Sequence, residues 1–170
     1  MKALIVYESM YGNTRAVAEA VASGLSSAYE TEVKPVAEAT GADVGQADLL
    51  VVGGPTHVHG LSRPSTRKAA ADAAASDEDL SLEPAAQGVG LREWFDHLDR
   101  GDGKRAAAFD TRLSAPPLFT GRGSLRIAKH LRKSAFEVAD DPVSFLVDKK
   151  NHLLDGELER AQEWGKSLAG

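Results

Sequence analysis

Cysteine is missing from this 170-residue chain, and that absence removes disulfides, thiolate nucleophiles, thiolate zinc sites and iron–sulfur clusters together. Long apolar runs are missing as well. The N-terminal run Ala3-Leu4-Ile5-Val6-Tyr7 is far shorter than a signal-peptide core or the roughly 20 residues of a membrane helix. No membrane association and a cytoplasmic location are therefore expected. Positive charge is also scarce: 20 basic residues stand against 25 acidic ones, for a net charge of -5, and no basic stripe is present that could follow a nucleic-acid backbone. What remains is ordinary globular composition, 42% hydrophobic and 26% charged. At this length one domain, spanning 1–170, can bury roughly 70% of the surface its unfolded chain exposes.

Strands and helices alternate along that domain. The opening apolar run is followed by Val17, Ala18, Val21, Ala22 and Leu25, whose spacing places one apolar stripe on a helix from about Asn13 to Ser26. Glu32-Val33-Lys34-Pro35-Val36 gives a short second strand, with Pro35 favouring an edge or terminal position. Asp48 to Gly53 is a continuous apolar run of the kind found in parallel strands buried on both faces. From about residue 61 to 90 the periodicity fails. A stretch without regular structure of that length is either a functional lid or a disordered insertion. Helical spacing resumes at Leu91 to Leu98. Lys104 to Phe109 reads as a fourth strand, Ser124 to Ser134 as a helix with Leu125, Ile127, Ala128 and Leu131 inward, and Phe136–Val138 with Val143–Val147 as a split fifth strand. A final helix runs from about Gly156 to Leu168, with Leu158, Ala161, Trp164 and Leu168 inward.

Such alternation describes an α/β, doubly wound, five-stranded parallel sheet in three αβα layers, which binds ligands beyond the carboxyl ends of its strands. Three segments leave those ends: Ser9 to Thr14, Gly54 to Gly60 and Asp110 to Leu113. The first is a phosphate cradle by its chemistry, since hydroxyls and the orphan N–H groups of a helix start accept a phosphate dianion without a lysine. A P-loop needs G-x-x-x-x-G-K-[ST] and a dinucleotide fingerprint needs G-x-G-x-x-G, and Ser9-Met10-Tyr11-Gly12-Asn13-Thr14 is neither. A low-molecular-weight phosphatase requires a cysteine. A phospho-acceptor receiver requires paired acids after the first strand, where Glu8 stands alone.

With these segments in place the sequence resembles the flavodoxin family over nearly its whole length apart from 61–90. Ser9 to Thr14 is similar to the family's [T/S]-x-T-G-[N/x]-T phosphate loop, with Tyr11 in place of the usual central threonine or serine. Gly53-Gly54-Pro55-Thr56 is similar to the start of its second flavin loop, and Phe109-Asp110-Thr111 stands where its third begins. The resemblance implies FMN, its phosphate held by Ser9, Met10, Tyr11, Gly12, Asn13 and Thr14. Its ring would lie between Pro55, Thr56, His57, Val58, His59 and Gly60 on one side and Asp110, Thr111 and Arg112 on the other. Neither flavin loop carries the tryptophan and tyrosine that often flank the ring, leaving His57, His59, Leu113 or Phe119 to take those places.

The implied role is an electron carrier passing low-potential electrons to a redox partner protein. An NAD(P)H- or quinone-linked FMN oxidoreductase acting on a small redox substrate is the first alternative, and a flavin-free interaction module of the same fold is the second. Arg112 either stabilises negative charge on the reduced flavin or forms a surface ion pair with Asp110 or the 61–90 segment. His57 or His59 either couples electron arrival to proton uptake or is a solvated side chain. Arg63, Arg67 and Lys68 form a basic patch that is either a dock for a nicotinamide phosphate or an acidic partner, or a solvated rim.

Overall fold

The apolar runs pair in parallel. In the computed structural model, which describes residues 1–57, 60–138 and 140–170, the strands are β1 (Lys2–Tyr7), β2 (Glu30–Pro35), β3 (Leu49–Pro55), β4 (Arg105–Leu113) and β5 (Val143–Val147). The helices are α1 (Asn13–Leu25), α2 (Gly41–Gln46), α3 (Pro64–Ser76), α4 (Leu91–Phe95), α5 (Pro117–Thr120), α6 (Gly123–Lys133) and α7 (Glu157–Leu168). The strand order is β2-β1-β3-β4-β5, with every pairing parallel. β2, which ends in Pro35, lies at an edge.

Side chains alternate across the sheet. Leu4, Val6, Leu50, Val52, Ala106 and Ala108 face one side, where α2, α4 and α6 cover them with Val44, Leu91, Trp94, Phe95, Ile127 and Leu131. Ala3, Ile5, Leu49, Val51, Ala107 and Phe109 face the other, under α1 and α7. On that second side the two helices touch backbone to backbone. A Cβ on Gly24 would lie 2.1 Å from the Gln162 carbonyl oxygen, and one on Gly165 would lie 2.3 Å from that of Val21. Gly53 meets a similar demand inside the sheet. The Phe109 ring fills the space beside it, so a Cβ there would stand 2.0 Å from Phe109 Cζ.

The structure departs from the sequence reading in several places. Helix α2 was not anticipated: it is six residues long and is held by a Thr40–Asp43 capping box rather than by an apolar stripe. Segment 61–90 contains α3, whose buried residues are Arg67 and Ala70, so no apolar periodicity marks it. The fifth strand is Val143–Val147 alone, with Glu137 joined to Arg105 by an isolated bridge. Leu125 and Leu158, expected inside, are 49% and 42% exposed. β4 continues through Leu113, so Asp110 to Leu113 is strand rather than loop.

Candidate functional site

The carboxyl ends of β1, β3 and β4 meet around the point where the strand order reverses. After β1 the chain turns at Gly12, whose φ of +96° is a left-handed conformation that a side chain would strain. Gly12 N donates to Ser9 Oγ at 3.0 Å. The N–H groups of the first turn of α1 have no intrahelical acceptor and form the positive end of the helix dipole, and no side chain caps them. Thr14, 1% exposed, brings its Oγ1 to 2.7 Å from Thr111 Oγ1 on β4. Asn13 Nδ2 donates to the Asn151 carbonyl at 2.7 Å, tying the same turn to the segment after β5.

Two residues of this loop face elsewhere. The Tyr11 hydroxyl donates to the Ala70 carbonyl of α3 at 2.8 Å, and Met10 is buried against Ala70 and Ala86. Their side chains fasten segment 61–90 to the loop, leaving only their backbone at the cradle. Glu83, from that segment, donates its backbone N–H to the Met10 carbonyl at 2.7 Å.

Thr56 and Asp110 form a cap. The Thr56 hydroxyl donates to Asp110 Oδ2 at 3.0 Å and accepts from Gly123 N at 2.8 Å, while the same Asp110 oxygen accepts from Ser124 N at 2.8 Å. The carboxylate is fully buried and its other oxygen has no partner among the described residues. These contacts seat the N-terminus of α6 on β3 and β4. Pro55 is the last residue of β3, and beyond it His57 and Gly60 exchange two backbone hydrogen bonds of 2.8 Å. Val58 and His59 lie outside the described residues. His57 Nε2 is buried without a partner among the described residues, and burial, followed by the Arg67 charge, moves its pKa below the ordinary histidine value.

Among the described residues Arg112 makes no ion pair with Asp110 or with segment 61–90. Its Nη1 donates to the Ala115 carbonyl at 2.8 Å, to that of Leu113 at 3.2 Å and to Thr120 Oγ1 at 3.3 Å. It braces the turn that presents α5, where Leu118 and Phe119 are 83% and 72% exposed. The expected basic patch also breaks up. Arg67 is 5% exposed and donates to Ser62 Oγ and Glu93 Oε1, and Lys68 pairs with Asp72.

Sequence reasoning missed the buried acid beside the cradle. Glu8, 4% exposed, accepts the Leu91 N–H on Oε2 at 2.8 Å and leaves Oε1 without a partner among the described residues. Burial raises its pKa, against the opposing pull of Leu91 N–H, Ser62 and Arg67. The available signal was an acid placed directly after the apolar run Ala3 to Tyr7.

A parallel sheet of this order, with an uncapped helix start and two further segments gathered at its switch point, defines a doubly wound α/β protein. Residues 5–96, more than half of the chain, match the family model for flavodoxin. The chain belongs to the flavodoxin family. A flavodoxin of Aquifex aeolicus (strain VF5) is 49% identical over 59 residues, which make up 34% of this chain and 32% of that protein. The chain thus spans about a third of the length of the curated relative it matches. Among solved structures, a flavodoxin from the domain Archaea superposes with a TM-score of 0.68 at 22% identity, over 99% of this chain and 96% of that one. The Flv1 flavodiiron core from Synechocystis sp. PCC6803 gives 0.64 at 16% identity, over 99% of this chain and 35% of that one. At these identities the structural likeness concerns the fold.

Proposed function

We propose that the chain binds FMN at the carboxyl edge of its sheet and carries electrons to a protein partner. The observation that supports this most directly is the uncapped start of α1, with Thr14 Oγ1 at 2.7 Å from Thr111 Oγ1. The donor set suits a phosphate dianion: first-turn N–H groups, Ser9 Oγ and Thr14 Oγ1 are all of the required kind. Ser9, Gly12, Asn13 and Thr14 would hold the phosphate, with Met10 and Tyr11 contributing backbone alone. His57 with Gly60 and the turn braced by Arg112 would flank the ring. Bound FMN supplies the electron chemistry. The protein fixes its position, limits water and offers His57 Nε2 as a buried site able to hold or release a proton. Membership of the flavodoxin family supports an FMN-binding, electron-transferring role.

Purified protein should carry flavin absorption, release FMN on denaturation, and bind FMN at least tenfold more tightly than riboflavin, since the phosphate supplies charge-assisted hydrogen bonds. Equal affinity for the two flavins refutes the phosphate cradle. A second reading, an NAD(P)H- or quinone-linked FMN oxidoreductase, is favoured by a cleft of about 480 Å³ that opens beside His57. Anaerobic bleaching of the flavin by a nicotinamide nucleotide, with no partner protein added, selects it.

A further inference from the structure

That cleft has an unusual lining for an acidic protein. Arg63, at the start of α3, Arg92, on α4, and Arg126 and His130, one turn apart on α6, surround it together with His57. Among the described residues no carboxylate lines it, and none of the three guanidiniums has an acidic oxygen within 4.0 Å. Yet the chain has 25 acidic residues against 20 basic ones, so acids are abundant enough to neutralise the cleft and are placed elsewhere.

The cationic groups are also held in position. Arg92 donates from Nε to the Ser62 carbonyl at 3.3 Å and from Nη2 to the Leu61 carbonyl at 3.1 Å. These contacts orient its planar fork without cancelling its charge. The His130 ring stacks on Phe95 with centroids 4.7 Å apart and planes inclined by 10°. Its pKa lies below the ordinary value because of burial and then the nearby Lys133 and Arg92 charges, with Asp96 opposing. The dipole of the 13-residue helix α3 adds positive potential at the same end of the cleft.

Like charges gathered at one concavity repel one another, and a bound anion relieves that repulsion. Guanidinium groups match phosphate oxygens in pairs, and the volume falls in the range of small-molecule sites. We propose that this cleft binds a small phosphorylated ligand at a site separate from the α1 cradle. A flat acidic protein surface would satisfy the charge but not the concavity. The proposal does not rest on the FMN reading, because the two sites share no phosphate-binding group.

Adenosine diphosphate serves as the probe, titrated calorimetrically at 0.15 M salt into protein saturated with FMN and into protein without it. Adenosine and a tetraglutamate peptide are the controls. FMN affinity is followed separately by flavin fluorescence. The expected result is saturable 1:1 binding of the diphosphate in both preparations, weakened at least tenfold by R63Q/R126Q. Both substituted side chains are exposed, so this variant should fold, and its FMN affinity should not change. Absence of saturable binding overturns the proposal, as does equal binding of tetraglutamate. Loss of diphosphate binding on FMN loading, with FMN affinity lowered by R63Q/R126Q, also overturns it by making the cleft part of the flavin site. Failure of FMN to bind, with the diphosphate result intact, refutes only the function proposed above.

Discussion

Replacing Thr14 with valine separates what its hydroxyl does for the fold from what it does for a ligand. The Thr14 and Thr111 hydroxyls lie 2.7 Å apart, at residues 1% and 5% exposed. T14V removes one of them and leaves Thr111 Oγ1 buried and unpaired, which costs roughly 1–3 kcal/mol. At this chain length each kcal/mol corresponds to about 2–4 °C in Tm. T111V should cost a similar amount. The double variant T14V/T111V removes both polar groups and leaves apolar ones of the same shape, so its stability should return close to that of the parent. FMN affinity should rank the variants differently. T14V and the double variant both lack the hydroxyl assigned to the phosphate and should bind FMN about tenfold more weakly, whereas T111V keeps it. Urea denaturation of the flavin-free protein gives the stabilities, and fluorescence titration gives the affinities. If the double variant loses as much stability as the two singles added together, the hydroxyls are not bonded to each other. If T14V binds FMN like the parent, Thr14 is not a phosphate ligand.

Tyr11→Phe should lower stability by about 0.5–1.5 kcal/mol through loss of the bond to Ala70 while leaving FMN affinity unchanged; a tenfold loss of affinity would return the phenol to the cradle. Glu8→Gln tests the buried carboxyl. Native Glu8 keeps its proton to higher pH than the unfolded chain, whose glutamates titrate near pH 4.3, so folding stability contributed by this group falls as pH rises through that window. Denaturation between pH 4 and pH 8 should show a shallower decline in the variant, and parallel curves would contradict the assignment. Gly53→Ala places a methyl group against the Phe109 ring and should cost at least about 3 kcal/mol, beyond the common overpacking penalty for so rigid a site; a loss under 1 kcal/mol in urea denaturation would show that the ring can move.

The parts of the fold that could be read in advance are those where one side-chain property repeats. The buried runs of β1 and β3 and the stripe from Val17 to Leu25 announce themselves through continuous or periodic apolarity. Helix α3 does not, because its buried face is made of Arg67 and Ala70 and is held by ionic and hydrogen bonds to Glu93 and Ser62. Helix α2 is too short for a period and depends on its cap. At the site, loop positions could be read but side-chain directions could not. Whether Tyr11 faces the cradle or α3, and whether Arg112 faces a ligand or its own turn, depends on carbonyls brought close only by the tertiary fold. Thr56 and Asp110 illustrate the same limit, since their partners are the N–H groups of Gly123 and Ser124. The cleft arginines come from α4, from α6 and from the extended residue that precedes α3. Only the i, i+4 spacing of Arg126 and His130 hinted that two of its groups share a face.

The glycine contact between α1 and α7 also bears on the order of folding. The helix that opens the proposed phosphate cradle is seated against a helix about 140 residues further along the chain, so its final position requires the closure of a very large loop. Local structure in the first turn can form early, but the geometry that relates Thr14 to Thr111 has to await that long-range contact. Refolding followed by FMN fluorescence should therefore lag behind the recovery of helical circular dichroism, and substitutions at Gly24 or Gly165 should lengthen the lag without touching a single residue of the site.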